Sequence, residues 1–165
     1  VAANESRARE IADSQELLPL VDFCAAYQQA GVLPHVAQEL DYLGHIRNLE
    51  NYYSAGCFVQ FLIERYGAGP FGQLYPSGDY GGVYGKGLIE LEAEWLADLA
   101  QRPTTLAYPP HDLVTAVTQV ENAYTNLFAA FDGSPAQIDA YRTLDGVRMA
   151  LLMGRLDQVQ AFFGQ

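Results

Sequence analysis

From Tyr52 to Tyr66 the chain reads Y-Y-S-A-G-C-F-V-Q-F-L-I-E-R-Y, and Gly67 follows. Tyr52, Ala55, Phe58, Val59, Leu62, Ile63 and Tyr66 recur at steps of three and four. Only an α-helix brings such a set onto one side, and a glycine just past the last apolar position is a usual helix stop. A second stripe, Leu88, Leu91, Trp95 and Leu99, predicts a helix over about 88–101. Glu90, Glu92, Glu94 and Asp98 spread round what is then its solvent side. Two such helices must bury their stripes against further helices, so the expected fold class is all-α.

The remaining punctuation fits that class. Asn4 can cap a first helix to about Leu18, and Pro19 suits the start of a second, with Leu20, Val21, Cys24 and Tyr27 at helical spacing and Gly31 as its stop. Pro34 opens a third helix carrying Val36, Leu40, Leu43 and Arg47, which Gly44 weakens. From Gly67 to Gly87 there are eight glycines and two prolines, and this composition predicts a surface loop with at most a short turn over 71–75. Arg102 to Pro110 reads as a linker. Asp112 then caps a helix to about Phe131 with Leu113, Val117, Val120, Tyr124, Leu127 and Phe131 on its apolar face. Ser134-Pro135 is an N-cap followed by proline at the first helical position, and Gly154 separates that helix from a short last one over 156–163. The expected organisation is a helical region over 1–102 and an antiparallel helical hairpin over 103–165.

Half of the residues are apolar and 18% are charged, which is the composition of a packed domain rather than a disordered chain. The formal net charge is −11, with Lys86 the single lysine. A surface this acidic repels phosphate backbones and anionic lipid, so nucleic acid is excluded as an expected partner. No apolar run approaches the ~20 residues that span a bilayer, and membrane insertion is not expected. Cys24 and Cys57 each lie within an apolar helical pattern. The expectation is two buried free thiols acting as small hydrophobes, and the alternative is a disulfide between two helices in an extracytoplasmic protein.

Conventional catalytic arrangements are sparse. His35, His45 and His111 are the only histidines, and none is four residues from another. His35 and Glu39 stand one turn apart, which reads as ordinary surface. Gly85-Lys86-Gly87 is not a phosphate loop, because Tyr80 stands where that motif needs glycine and Gly87 where it needs Ser or Thr. Cys57 has no histidine near it in sequence and is not expected to be a nucleophile.

Tyr53-Ser54-Ala55-Gly56, placed at the first turn of its helix, resembles the Tyr-x-x-Gly segment that opens a helix behind the zinc site of gluzincin-type zinc peptidases, the peptidase MA-like group. Phe58 to Gly67, F-V-Q-F-L-I-E-R-Y-G, is similar to a segment common in bacterial domains of that group. Leu88 to Leu99 resembles the L-x-x-L-E-x-x-W helix that closes them, and Leu18-Pro19-Leu20 the L-P-L segment that precedes them. The likeness covers about residues 17–100. It implies that Tyr53 donates a hydrogen bond to the oxyanion formed during peptide hydrolysis, a task for a neutral donor in a dry cleft. It also implies that Gly56 admits a neighbouring zinc-binding helix.

The His-Glu-x-x-His that would bind zinc is absent from the sequence. Family order puts that segment upstream of Val1. The expectation is therefore the C-terminal, substrate-cleft half of a zinc metallopeptidase, with no catalysis by this chain alone, no metal or cofactor ligand within it, and Tyr53 as its conditional catalytic residue. Zinc would come only with the upstream segment, the partner would be a peptide or protein ligand, and the family points to an extracytoplasmic home. The alternative is a non-catalytic helical interaction module built on the same scaffold.

Overall fold

A computed structural model of the chain describes residues 17–39, 49–103 and 105–164. It is all-helical, with no strand among the described residues. The chain forms two compact units, one over 20–111 and the other, among the described residues, over 17–19 and 112–164. The expected first helix over 4–18 and the stretch Leu40–Arg47 of the third lie almost wholly outside the described residues.

The first unit is built from α1 (Leu20–Gln29), α2 (Val36–Glu39), α3 (Leu49–Tyr66), α4 (Ala68–Ser77), α5 (Tyr80–Tyr84) and α6 (Leu88–Leu99). Helices α1, α3 and α6 pack on one another, α2 lies against α3 and α6, and α4 folds back along α3. The core holds Phe23, Cys24 and Tyr27 of α1, Cys57, Phe58, Phe61 and Leu62 of α3, and Leu91, Trp95 and Leu99 of α6. Trp95 meets Phe58 edge-on at 5.6 Å. Gly31 ends α1 with φ 72°, a left-handed conformation that glycine adopts without strain. The Val32 N–H reaches back to the Tyr27 carbonyl at 3.0 Å, as in a Schellman ending. Gly67 ends α3 at φ 94° and ψ 160°, an extended positive-φ conformation that glycine alone adopts readily.

Four sequence expectations are corrected in this unit. The buried face of α3 is Ser54, Cys57, Phe58, Phe61 and Leu62, while Tyr52 is 70% exposed and Ile63 37%. The stripe is turned towards the smaller residues because Ser54 and Cys57 are the ones engaged by neighbours: the Ser54 hydroxyl donates to the Pro34 carbonyl at 2.8 Å. Secondly, Cys24 and Cys57 are not free thiols but a disulfide joining α1 to α3, with Cα atoms 6.6 Å apart.

Thirdly, the glycine-rich segment is helical. Pro70 lies in the first turn of α4, where a missing N–H costs nothing, and buried Leu74 anchors the helix. Gly78 (φ 64°) and Gly85 (φ 68°) are its stops and those of α5, and the Asp79 carboxylate caps α5 by accepting the Gly82 N–H at 2.8 Å. Gly67, Gly78 and Gly85 punctuate the two short helices, while Gly69 and Gly72 lie inside α4 and Gly81 and Gly82 inside α5. Fourthly, Glu92 is not on the solvent side of α6 but buried, 6% exposed. The start of α6 holds as read, with Glu90 reaching back to accept the Gly87 N–H at 2.8 Å.

The second unit carries α7 (Pro110–Ala129), α8 (Pro135–Leu152) and α9 (Leu156–Phe163). Helix α7 opens at Pro110, two residues before the expected Asp112 cap, because proline at the first position needs no N–H partner. Ser134 caps α8 as expected, its hydroxyl accepting the Gln137 N–H at 3.4 Å. Leu113, Ala116, Val117 and Val120 of α7 are buried, as are Leu144, Val147, Ala150 and Leu151 of α8 and Leu156 and Val159 of α9. Towards the α7–α8 turn the aromatic face is open: Phe128 is 60% exposed, and Phe131, Ile138 and Tyr141 are exposed as well. Tyr124, Phe128 and Tyr141 form a ring cluster with centroids 5.8–6.1 Å apart.

Candidate functional site

Tyr53 lies in the second turn of α3, since the helix begins at Leu49, and not in the first as expected. It is half-buried, and its ring rests on Phe23 of α1 with centroids 4.2 Å apart. Phe23 in turn stacks on Tyr27 at 4.6 Å. The residue next to Phe23 is Cys24, so the disulfide and this ring contact hold the same stretch of α1 against the same turn of α3. Gly56 also serves this junction. A Cβ there would lie 3.1 Å from a Leu20 methyl, so the helix that Gly56 admits is α1.

The fit of zinc to these residues is poor. Among the described residues no group of three or more His, Cys, Asp or Glu side chains could hold a metal ion. Both cysteines are consumed by the disulfide. His35 and His111 are exposed, and His45 lies outside the described residues. His35 Nδ1 stands 3.6 Å from Glu92 Oε1, an ion-pair distance when the imidazole is protonated. That oxygen has no hydrogen-bond partner among the described residues. One exposed imidazole and one buried carboxylate are two potential ligands, short of the three or four that hold zinc.

Two polar networks that the sequence reading did not single out organise the rest of the unit. Lys86 donates to Glu94 at 2.5 Å and to the Tyr66 hydroxyl at 3.1 Å, and Tyr66 donates to the other Glu94 oxygen at 2.5 Å. The ammonium also lies 5.4 Å from the centre of the Tyr66 ring. Hydrogen bonds from Lys86 and then Tyr66 hold the Glu94 carboxyl below the ordinary carboxylate value, and Glu94 raises Lys86 in return. Tyr84 packs on Tyr66 at 5.1 Å, and burial pushes its phenol upward. The single lysine thus ties the end of the glycine-rich segment to α3 and α6.

In the second network Arg102 donates through Nε to Asp98 at 2.7 Å and through a terminal nitrogen to Glu64 at 2.9 Å. Glu64 is held low first by a hydrogen bond from Gln60 and then by Arg102. The Asp98–Arg102 step of four residues was a readable helix-pair signal. These side chains rim a small recess lined also by Phe61, Trp95 and Cys57, with a volume of about 10 Å³. Tyr53 does not line it.

Comparison with known protein families, curated proteins and solved structures gave no match.

Proposed function

We propose that this chain performs no catalysis alone and forms the substrate-cleft half of a gluzincin-type zinc metallopeptidase domain whose metal-binding segment is not among these residues. The observation that carries the reading is the half-buried Tyr53 phenol one helical turn before Gly56 of α3, although the helix packed at Gly56 is α1 and not a zinc-binding helix. The order of elements supports it too, since the α3 helix, its Gly67 stop, and α6 closing over it through Trp95 follow the order of the resembling segments. In this reading Tyr53 supplies a neutral hydrogen-bond donor for a tetrahedral oxyanion, and α4 and α5 flank the groove that takes a peptide. The Cys24–Cys57 disulfide favours an extracytoplasmic home, where such bonds form and persist.

The test uses the whole protein from which the chain comes. Stoichiometric zinc by elemental analysis and peptide hydrolysis that falls about 100-fold or more in Tyr53→Phe, the loss seen for other oxyanion donors, supports the reading. A whole protein without a His-Glu-x-x-His segment, or one whose hydrolysis ignores Tyr53→Phe, sinks it.

The second reading, a non-catalytic helical module that binds a protein or peptide, is favoured by one feature: the aromatic face of Phe128, Phe131, Ile138 and Tyr141 left open on the α7–α8 hairpin. A whole protein that binds no zinc but loses a partner on Phe128→Ser would establish it instead. Neither reading involves insertion into a bilayer, as none of the described helices is long and apolar enough to cross a membrane.

A further inference from the structure

The disulfide is buried asymmetrically. Cys24 is 0% exposed, whereas Cys57 is 4% exposed and lines the recess under Arg102. Each sulfur also lies against a backbone carbonyl: Cys57 Sγ is 3.0 Å from the Leu20 oxygen and Cys24 Sγ 3.4 Å from the Tyr53 oxygen. In the disulfide no S–H exists to use those acceptors. On reduction the sulfurs must move apart, since non-bonded sulfurs cannot stay at bonding distance, and the Leu20 and Tyr53 carbonyls are the acceptors nearest to the two thiol protons. The recess holds about one water molecule at its present size, too little for an entering thiol, so the rim of Arg102, Glu64 and Asp98 must part first.

We infer that Cys24–Cys57 is a reversible redox latch between α1 and α3, opened by a small thiol that attacks Cys57 through the recess, with Arg102 and its two carboxylates gating entry. In the first step a thiolate of a dithiol reductant bonds to Cys57 Sγ, the S–S bond breaks, and Cys24 leaves as thiolate and takes up a proton. The second thiol of the reductant then closes on its own bound sulfur, releasing Cys57, which is protonated in turn. Two electrons and two protons pass from the dithiol to the protein, and a cyclic disulfide is the other product. The released sulfurs then move apart to non-bonded contact, which loosens α1 against α3 locally, and the thiols donate to the Tyr53 and Leu20 carbonyls. This inference stands apart from the proposed peptidase role, since it requires neither zinc nor a substrate.

The experiment follows reduction of the full chain by dithiothreitol, with quenching by N-ethylmaleimide and mass spectrometry, across urea concentrations well below the unfolding transition. Attack on the folded chain gives a rate independent of urea and a reduced product that keeps its helical circular dichroism. With 2-mercaptoethanol the trapped adduct sits on Cys57 and the alkyl group on Cys24. Loosening an exposed ion pair accelerates entry roughly two- to fivefold in Arg102→Gln. Should that variant fail to fold, Glu64→Gln, which removes one of the two Arg102 anchors, gives the same direction. A rate that climbs steeply with urea, an adduct on Cys24, or loss of helical signal on reduction overturns the latch. Unchanged rates in both folded rim variants overturn the gate.

Discussion

Ser54 is 2% exposed in the middle of an apolar face, and its hydroxyl finds the Pro34 carbonyl at 2.8 Å. A buried hydroxyl without a partner is costly, so this bond fixes which side of α3 faces inward. Replacing Ser54 by alanine removes the donor while leaving the carbonyl in place. The expected loss is about 1–2 kcal/mol in urea unfolding, the usual cost of deleting one buried hydrogen bond and stranding its acceptor. No measurable loss would mean that shape alone orients the helix. Tyr53, one residue earlier, is tied to Phe23 by its ring, and Tyr53→Phe keeps that ring contact.

Among the elements, α1 and α3 are joined three ways: by Leu20 on Gly56, by Phe23 on Tyr53, and by the disulfide. The covalent link closes a loop with a sequence separation of 33. On the chain-entropy account, replacing both cysteines by serine costs about 4 kcal/mol, readable as a lower urea midpoint. A loss below roughly 1 kcal/mol would show that the unfolded chain keeps α1 near α3 without the bond. The Lys86 network joins α3 to α6 and gives a pH signature. Glu94 titrates below its ordinary 4.5 when folded, so its contribution is complete above that pH and disappears as pH falls through the lower folded value. Lys86 is raised above 10.5, so the pair persists up to that pH and weakens beyond it. Lys86→Met is therefore less stable than the parent at pH 7, and the gap narrows once pH drops below 4.5. A gap that stays constant down to pH 3 would remove the pair from the account. The helices α1, α3, α6, α8 and α9 were legible in the sequence because apolar spacing agreed with glycine and proline at their ends. Helices α4 and α5 were not, because Gly69, Gly72, Gly81 and Gly82 lie inside them, where glycine is a poor helix former. Glu92 was misplaced since a charge on a helix was assumed to face water. Of the pairings that Lys86 and Arg102 make, only Asp98–Arg102 has the spacing of a helix pair; Lys86–Tyr66, Tyr66–Glu94 and Glu64–Arg102 are 20 to 38 residues apart, and no local pattern carries them. Tyr53 was legible as a candidate only by likeness, and its contact with Phe23 needed the fold.

For the molecule as a whole, net charge governs how copies meet. At pH 7 the chain carries −11, and its isoelectric point is about 4.4. That charge makes each copy repel the next and so opposes any pairing of the open aromatic faces of Phe128, Phe131, Ile138 and Tyr141. As pH falls to 4.4 the repulsion vanishes while the apolar attraction stays. Light scattering is expected to rise towards that pH. Acid also weakens the Glu94 pair, so partial unfolding could produce the same rise, and two controls separate the causes. Several tenths molar sodium chloride at pH 7 shortens the screening length to about 5 Å or less and leaves the carboxylates ionised; it raises scattering only if charge held the copies apart. Phe128→Ser lowers scattering at pH 4.4 only if the hairpin face is the surface that sticks. Scattering that ignores salt and the Phe128 change alike would trace the association to acid-loosened helices, and the charge of the folded chain would then have no part in keeping it dispersed.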